Sequence, residues 1–206
     1  MSERRFRAVL RPRDASPDVD SERACGECTL CCTVLRVDEL HKPGGVPCPK
    51  LSADPPGCGI HATRPRICRR YRCLWLQGGL EEEDRPDRLG AVLDLLTEAG
   101  TTHLAIREAE PGALERSQRL AAIAERYRAF LPVRITDVAD VMNPDAPVRL
   151  LLSHGEEHRV EGDRVSVFRD GELAERRRLP MAQRLARRAL LRISRWKLDR
   201  FRRREP

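Results

Sequence analysis

The sequence predicts an α+β fold: a small loop-rich cysteine-cluster metal module, followed by a small, mostly antiparallel sheet with packed helices. Three observations predict it. Eight cysteines fall within residues 25–73 and none lies elsewhere in the 206-residue chain. Beyond residue 90, apolar runs bounded by turn residues follow in the order strand, strand, helix, strands. Apolar residues also recur at helical spacing over residues 120–131 and again near the C-terminus.

The elements are taken in chain order. Residues 1–24 mix six arginines with five acids, show no sustained periodicity, and read as a flexible N-terminal arm. Residues 25–79 form the cysteine-cluster metal-binding module, in which Pro43-Gly44-Gly45 and Pro55-Pro56-Gly57 force turns between the cysteines. Glu81-Glu82-Glu83-Asp84, followed by Arg85-Pro86, has no apolar face and reads as a solvated connection. It opens a small α+β region over 80–175. There, Ala91–Leu96 and His103–Ile106 flank Ala99-Gly100 as two strands on a short turn. Pro111-Gly112 precedes a helix whose face is Leu120, Ile123, Ala124, Tyr127, Phe130 and Leu131, and Pro132 stops it. Val133–Ile135, Val148–Leu152 and Arg164–Phe168 read as further strands, with turn signals at Gly162-Asp163 and Asp170-Gly171.

Residues 176–206 close the chain as a basic amphipathic helix running from Met181 to Phe201. Leu185, Ala189, Ile193 and Trp196 share one side, and the expectation is that this side docks on the protein's own core while the arginines stay solvated. The segment carries 13 Arg or Lys against Asp199 and Glu205, a net +11, so the remaining residues sum to −4 within the overall +7. Such a tail can meet nucleic acid, an anionic membrane surface or an acidic protein partner. Nucleic acid is the weaker reading, because arginine abounds throughout the chain and only Trp196 and Phe201 are there to stack on bases.

With aromatics at only 4%, the core must be built mainly from Leu, Val, Ile and Ala. The cysteine segment, poor in large apolar residues, is expected to draw its order from metal ligation. Met1-Ser2-Glu3-Arg4-Arg5-Phe6-Arg7 has no apolar stretch behind its charges, and no run of apolar residues is long enough to span a bilayer. The expectation is a cytoplasmic protein with no transmembrane segment. Disulfides do not persist in a reducing compartment, so densely packed thiols there are expected to bind a soft cation; disulfides or a redox relay are the alternatives.

Cys25, Cys28, Cys31, Cys32, Cys48, Cys58, Cys68 and Cys73 are the candidate metal ligands. The two-residue gaps of Cys25-x2-Cys28-x2-Cys31 let successive sulfurs reach different corners of one iron–sulfur cubane. Neighbouring side chains generally diverge, so Cys32 is expected to serve a second metal, bridge two, or stay uncoordinated. The later intervals are not those of a zinc ribbon, and the excess of sulfur favours soft-metal chemistry. The cofactor expected is therefore an iron–sulfur cluster or zinc, with a lean to iron–sulfur. His61 lies between Cys58 and Cys68 and is a further candidate, although eight sulfurs already suffice. Arg64, Arg66, Arg69, Arg70 and Arg72 crowd the last two cysteines, where they can offset thiolate charge, face an anionic substrate, or simply be solvated.

Taken in order, Cys25-Gly26-Glu27-Cys28-Thr29-Leu30-Cys31-Cys32, Cys48-Pro49-Lys50-Leu51, Gly57-Cys58-Gly59-Ile60, Arg64-Pro65-Arg66-Ile67-Cys68 and Tyr71-Arg72-Cys73 resemble the YkgJ-type CxxCxxCC family, described as a zinc- or iron-chelating domain. The resemblance covers residues 25–75, and residues 80–206 carry no comparable motif. His61 stands where many members have an aromatic residue, and the Arg-rich tail departs from the pattern. Flagellin lysine N-methylases share this cysteine domain, so the resemblance implies two roles: a bacterial metal-binding protein, or an iron–sulfur-dependent protein-modifying enzyme with S-adenosylmethionine as a possible cosubstrate. The C-x3-C-x2-C spacing of radical S-adenosylmethionine enzymes, the Rossmann glycine pattern, a G-x-S-x-G elbow and an H-E-x-x-H helix are all missing. No catalytic residue can be named from the sequence.

Overall fold

The structure, a computed structural model, describes residues 23–98 and 100–203. The predicted N-terminal arm lies outside the described residues except for its last two positions. One of these, Arg23, is anchored: its Nη1 donates to Trp75 O (3.0 Å) and Leu80 O (2.9 Å), and its guanidinium lies 5.0 Å from the centroid of the Trp75 ring.

The cysteine-rich segment is made of short pieces, as its turn residues require. Helix α1 spans Leu30–Val34, strands β1 (Leu51–Ala53) and β2 (Pro56–Cys58) form a small antiparallel hairpin, and helix α2 spans Arg66–Arg70. None is long enough to be stable alone. Helix α3 (Pro86–Leu89) begins on a proline, whose missing N–H costs nothing in a first turn, and ends on Gly90 at φ 69°.

A seven-stranded sheet follows. Strands β3 (Ala91–Glu98) and β4 (Thr101–Glu108) pair as the predicted hairpin. Helices α4 (Ala113–Arg116) and α5 (Gln118–Arg128) then cross over to β5 (Val133–Asp137), which pairs with β4 in parallel. Strands β6 (Val148–Leu151), β7 (Glu156–Glu161), β8 (Arg164–Arg169) and β9 (Glu172–Arg178) add on antiparallel, giving spatial order β3-β4-β5-β6-β7-β8-β9. Helix α6 (Met181–Arg202) closes the described chain. The fold is α+β with a mostly antiparallel sheet, as the order of elements predicts.

Helix α5 starts at Ser117, whose hydroxyl accepts from Leu120 N (3.2 Å). It buries Leu120, Ile123, Ala124 and Tyr127 in a core shared with Leu93, Leu104, Ile106 and Val133 of the sheet. Phe130, expected on that buried face, lies past the end of the helix and is 71% exposed. The same core takes in Val34, Cys73, Leu74, Trp75, Leu76 and Leu80, so the cysteine-rich segment and the sheet share one apolar interior. Gly79 backs directly onto Leu74: a Cβ there would stand 2.5 Å from Leu74 Cδ1.

Two further sequence expectations are overturned here. The acidic run is not a purely solvated connection, because Asp84 is fully buried, accepts from Glu81 N (3.0 Å) and pairs with Arg119 through contacts of 2.6 and 3.1 Å. Its burial is possible because both carboxylate oxygens are satisfied. The C-terminal helix is also turned the other way round from expectation. Leu185, Ile193 and Trp196 are more than half exposed, and the buried positions are Leu198 and Phe201.

Asp84→Ala is expected to destabilise the fold by about 2–3 kcal/mol in chemical denaturation, since it removes a turn cap and strips Arg119 of its partner. A second expectation concerns acid. Burial would raise the carboxyls of Glu115 and Glu157, yet hydrogen bonds from Arg149 to both, and from Arg159 to Glu157, hold them below the ordinary range. Folding therefore favours their ionised forms, and the stability this adds is present above their unfolded values and lost as pH falls through the lower folded ones. Arg149→Leu should flatten the loss of stability below about pH 4, measured as denaturation midpoints against pH.

Candidate metal centre

Each cysteine is positioned by a local device. Cys28 N donates to Cys25 O (3.0 Å), closing the first turn, and Cys31 and Cys32 lie in α1. Leu51 N donates to Cys48 O (3.1 Å), and the hairpin register sets Cys58 opposite Leu51. Gly57, at φ 145°, comes so close to the first loop that a Cβ would stand 3.2 Å from Gly26 O, and this approach brings the hairpin up against Cys25. Cys68 rides on α2, whose first N–H groups are met by Glu39: Arg66 N and Ile67 N donate to its two carboxylate oxygens at 3.1 and 3.0 Å. Cys73 is buried beside Leu74, whose N–H donates to Leu93 O of β3 (2.8 Å).

These devices converge. All eight cysteines line one cavity of about 370 Å3, together with His61, Arg64, Tyr71, Asp94, Arg107 and apolar walls that include Leu35, Val37, Ile60 and Leu76. All eight are free thiols. Among the described residues, no three His, Cys, Asp or Glu side chains meet at a single point as a ready-made ion site. The donor chemistry nonetheless fits a soft metal: many thiols, one shared wall, and apolar surroundings that make an uncompensated thiolate costly.

That cost is visible thiol by thiol. Burial pushes Cys25, Cys28 and Cys68 above the ordinary thiol value and takes Cys73 to about 11. Cys32 moves the other way, down to about 7, first through a hydrogen bond from the Cys31 thiol, which is itself pushed up, and also through the positive charge of Lys42.

Lys42 was invisible to sequence reasoning. It is only 1% exposed, and its Nζ donates to Thr33 O (2.6 Å) and to Leu35 O, capping the last carbonyls of α1. Burial pulls its pKa down, and the nearby thiols of Cys48 and Cys32 oppose that shift. Three of the arginines expected near the cysteines are committed to backbone carbonyls: Arg64 to His61 O (2.5 Å), Arg69 to Arg64 O (2.5 Å) and Arg72 to Leu76 O (2.8 Å). His61 lines the cavity.

Tyr71, Asp94 and Arg107 also escaped the sequence reading. Asp94 on β3 and Arg107 on β4 share a sheet face, because the register sets Asp94 opposite Ala105 and Val92 opposite Arg107. They pair at 3.9 Å. The buried Tyr71 Oη and Arg107 Nη1 make no hydrogen bond among the described residues, and burial drives the Tyr71 phenol well above its ordinary value, with Asp94 adding to the shift. Asp94 interrupts the apolar run of β3 and Arg107 ends that of β4, and nothing local marked Tyr71. Comparison with protein-family models, with curated proteins and with solved structures returned no match.

Lys42→Met keeps the bulk of the side chain and removes the donor. It is expected to cost about 2 kcal/mol in urea denaturation, because two partly buried carbonyls lose their partner. A cost below about 0.5 kcal/mol would show that the clamp carries no weight.

Proposed function

We propose that this is a cytoplasmic metal-binding protein whose eight cysteines, Cys25, Cys28, Cys31, Cys32, Cys48, Cys58, Cys68 and Cys73, hold an iron–sulfur cluster or zinc. The observation that carries the reading is the convergence of all eight thiols, drawn from six separate turns and short elements, on one cavity. The resemblance of their spacing to the CxxCxxCC family points the same way, and free thiols suit a reducing compartment. The two-residue gaps of Cys25-x2-Cys28-x2-Cys31 favour shared ligation, and with it iron–sulfur over two separate zinc ions.

When bound, such a group supplies either a rigid crosslink, as structural zinc does, or one-electron chemistry, as iron–sulfur does. The chain's own residues do the rest. Leu35, Val37, Ile60 and Leu76 give the sulfurs an apolar wall. Lys42 and Arg64 place positive charge beside them and offset the thiolate excess.

A second reading, an iron–sulfur-dependent protein-modifying enzyme, takes support from Tyr71 Oη and Arg107 Nη1, two buried donors at the wall of the same cavity. Under it they receive an acceptor group of the substrate or cosubstrate. S-adenosylmethionine should then bind the metal-loaded protein, and Arg107→Leu should weaken that binding. No binding to the loaded wild type would sink this second reading and leave the first intact.

The first reading is tested by metal and acid-labile sulfide analysis, with a visible spectrum, on protein purified without oxygen. About four irons and four sulfides per cluster with a band near 400 nm are expected; zinc without sulfide would reassign the centre as structural. Protein that holds no metal, or Cys28→Ser and Cys68→Ser variants with undiminished metal content, would overturn it.

A further inference from the structure

We propose that helix α6 lies flat on an anionic lipid surface, with its outward stripe seated at the boundary between headgroups and acyl chains. The inference does not rest on the metal centre. Helix α6 runs 22 residues, about 33 Å, and presents two different stripes. The inward one is Arg184, Arg187, Leu191, Ser194, Leu198 and Phe201, all half-buried or buried. Arg184 on Asp163 (2.9 Å) and Phe201 stacked 6.2 Å from His41 tie this stripe down, and the neighbouring Arg195 pairs with Asp145.

The outward stripe is the more apolar one. Met181, Leu185, Ala189, Ile193 and Trp196 follow one another at three- and four-residue steps and are all exposed, the four large ones by 73, 60, 51 and 55%. A face of this size left open to water on a helix pinned by its other side is the mark of an interaction surface.

Charge decides the occupant. Residues 181–202 carry seven arginines and Lys197 against Asp199 alone, a net +7. Two copies packed stripe to stripe would bring these charges together, which disfavours self-association. Nucleic acid would engage the arginines but leave Met181, Leu185 and Ile193 uncovered, since only Trp196 can stack on a base. An anionic bilayer answers both: the apolar boundary takes the stripe, and the headgroup charges take Arg192, Lys197 and Arg200. Arg200 lies over the Trp196 ring at 5.5 Å, joining an amphipathic ring and a cation on the outward side of the helix. Among the described residues no helix is long and apolar enough to cross a membrane, so α6 lies on the surface rather than spanning it.

The test uses the full chain with vesicles of phosphatidylcholine and phosphatidylglycerol at roughly three to one, against vesicles of phosphatidylcholine alone. Co-sedimentation with the anionic vesicles is expected, falling with added salt and accompanied by a blue shift of the exposed Trp196; Trp75 is already buried. Ile193→Glu should weaken binding about tenfold or more by placing a charge in the stripe, and Arg192→Gln, Lys197→Gln and Arg200→Gln together about a hundredfold at low salt. All four side chains are exposed, and circular dichroism of each variant checks that the helix persists. Equal binding to both vesicle types, unchanged binding by Ile193→Glu, tighter binding to a nucleic-acid oligomer than to the anionic vesicles, or a stable dimer that ignores vesicles would each overturn the proposal.

Discussion

The structure depends on how the segment from Cys73 to Leu80 is seated against the sheet. Leu74 is fully buried and hydrogen-bonds to Leu93 of β3. The Tyr127 hydroxyl of α5 donates to Gly79 O (3.0 Å), and Trp75 Nε1 donates to Glu82 O (3.2 Å). The chain upstream consists of turns and five-residue helices that could not order themselves. Through this seat they borrow the rigidity of a sheet-based core. The same seat sets the cysteine loops against the sheet face that bears Asp94 and Arg107, and that juxtaposition creates the cavity.

The cavity wall is held by polar groups that neutralise one another's cost. Buried thiols resist ionisation, a buried lysine resists protonation, and packing the two together relieves both. Lys42 does this while also satisfying the end of α1, so one side chain closes a helix and sets the electrostatics of the adjacent cysteines. Arg64 and Arg72 take part at the rim, each spending hydrogen bonds on the carbonyls that shape the loops. The positive charge of the chain is thus divided between a few residues buried around thiols and a solvent-facing helix at the far end of the sequence.

The elements legible in the sequence were those whose apolar residues repeat. The β3–β4 hairpin followed from two apolar runs on a short turn and helix α5 from period 3.6, and the break at Pro132 marked the end of α5. Strands β7 and β9 did not, because Glu156–Glu161 contains no buried residue and every position of Glu172–Arg178 is exposed; their pairing is written in the backbone rather than in apolar pattern. The cysteines as a group were legible from clustering alone. Tyr71, Asp94 and Arg107 were not, since they join the cavity through contacts between segments far apart in sequence, and no local pattern at Lys42 signalled that it turns back onto the carbonyls of Thr33 and Leu35. For α6 the periodicity announced the helix but pointed to the wrong face: its apolar stripe is left outside, while two residues near its end, Leu198 and Phe201, are buried.

The central claim is that a metal sits among these thiols and is held by sulfur. X-ray absorption at the metal edge of protein purified without oxygen tests it most directly. The account predicts a first shell made of sulfur at about 2.3 Å, with no histidine-type outer scattering. A first shell dominated by nitrogen or oxygen, with the eight cysteines intact, would contradict it.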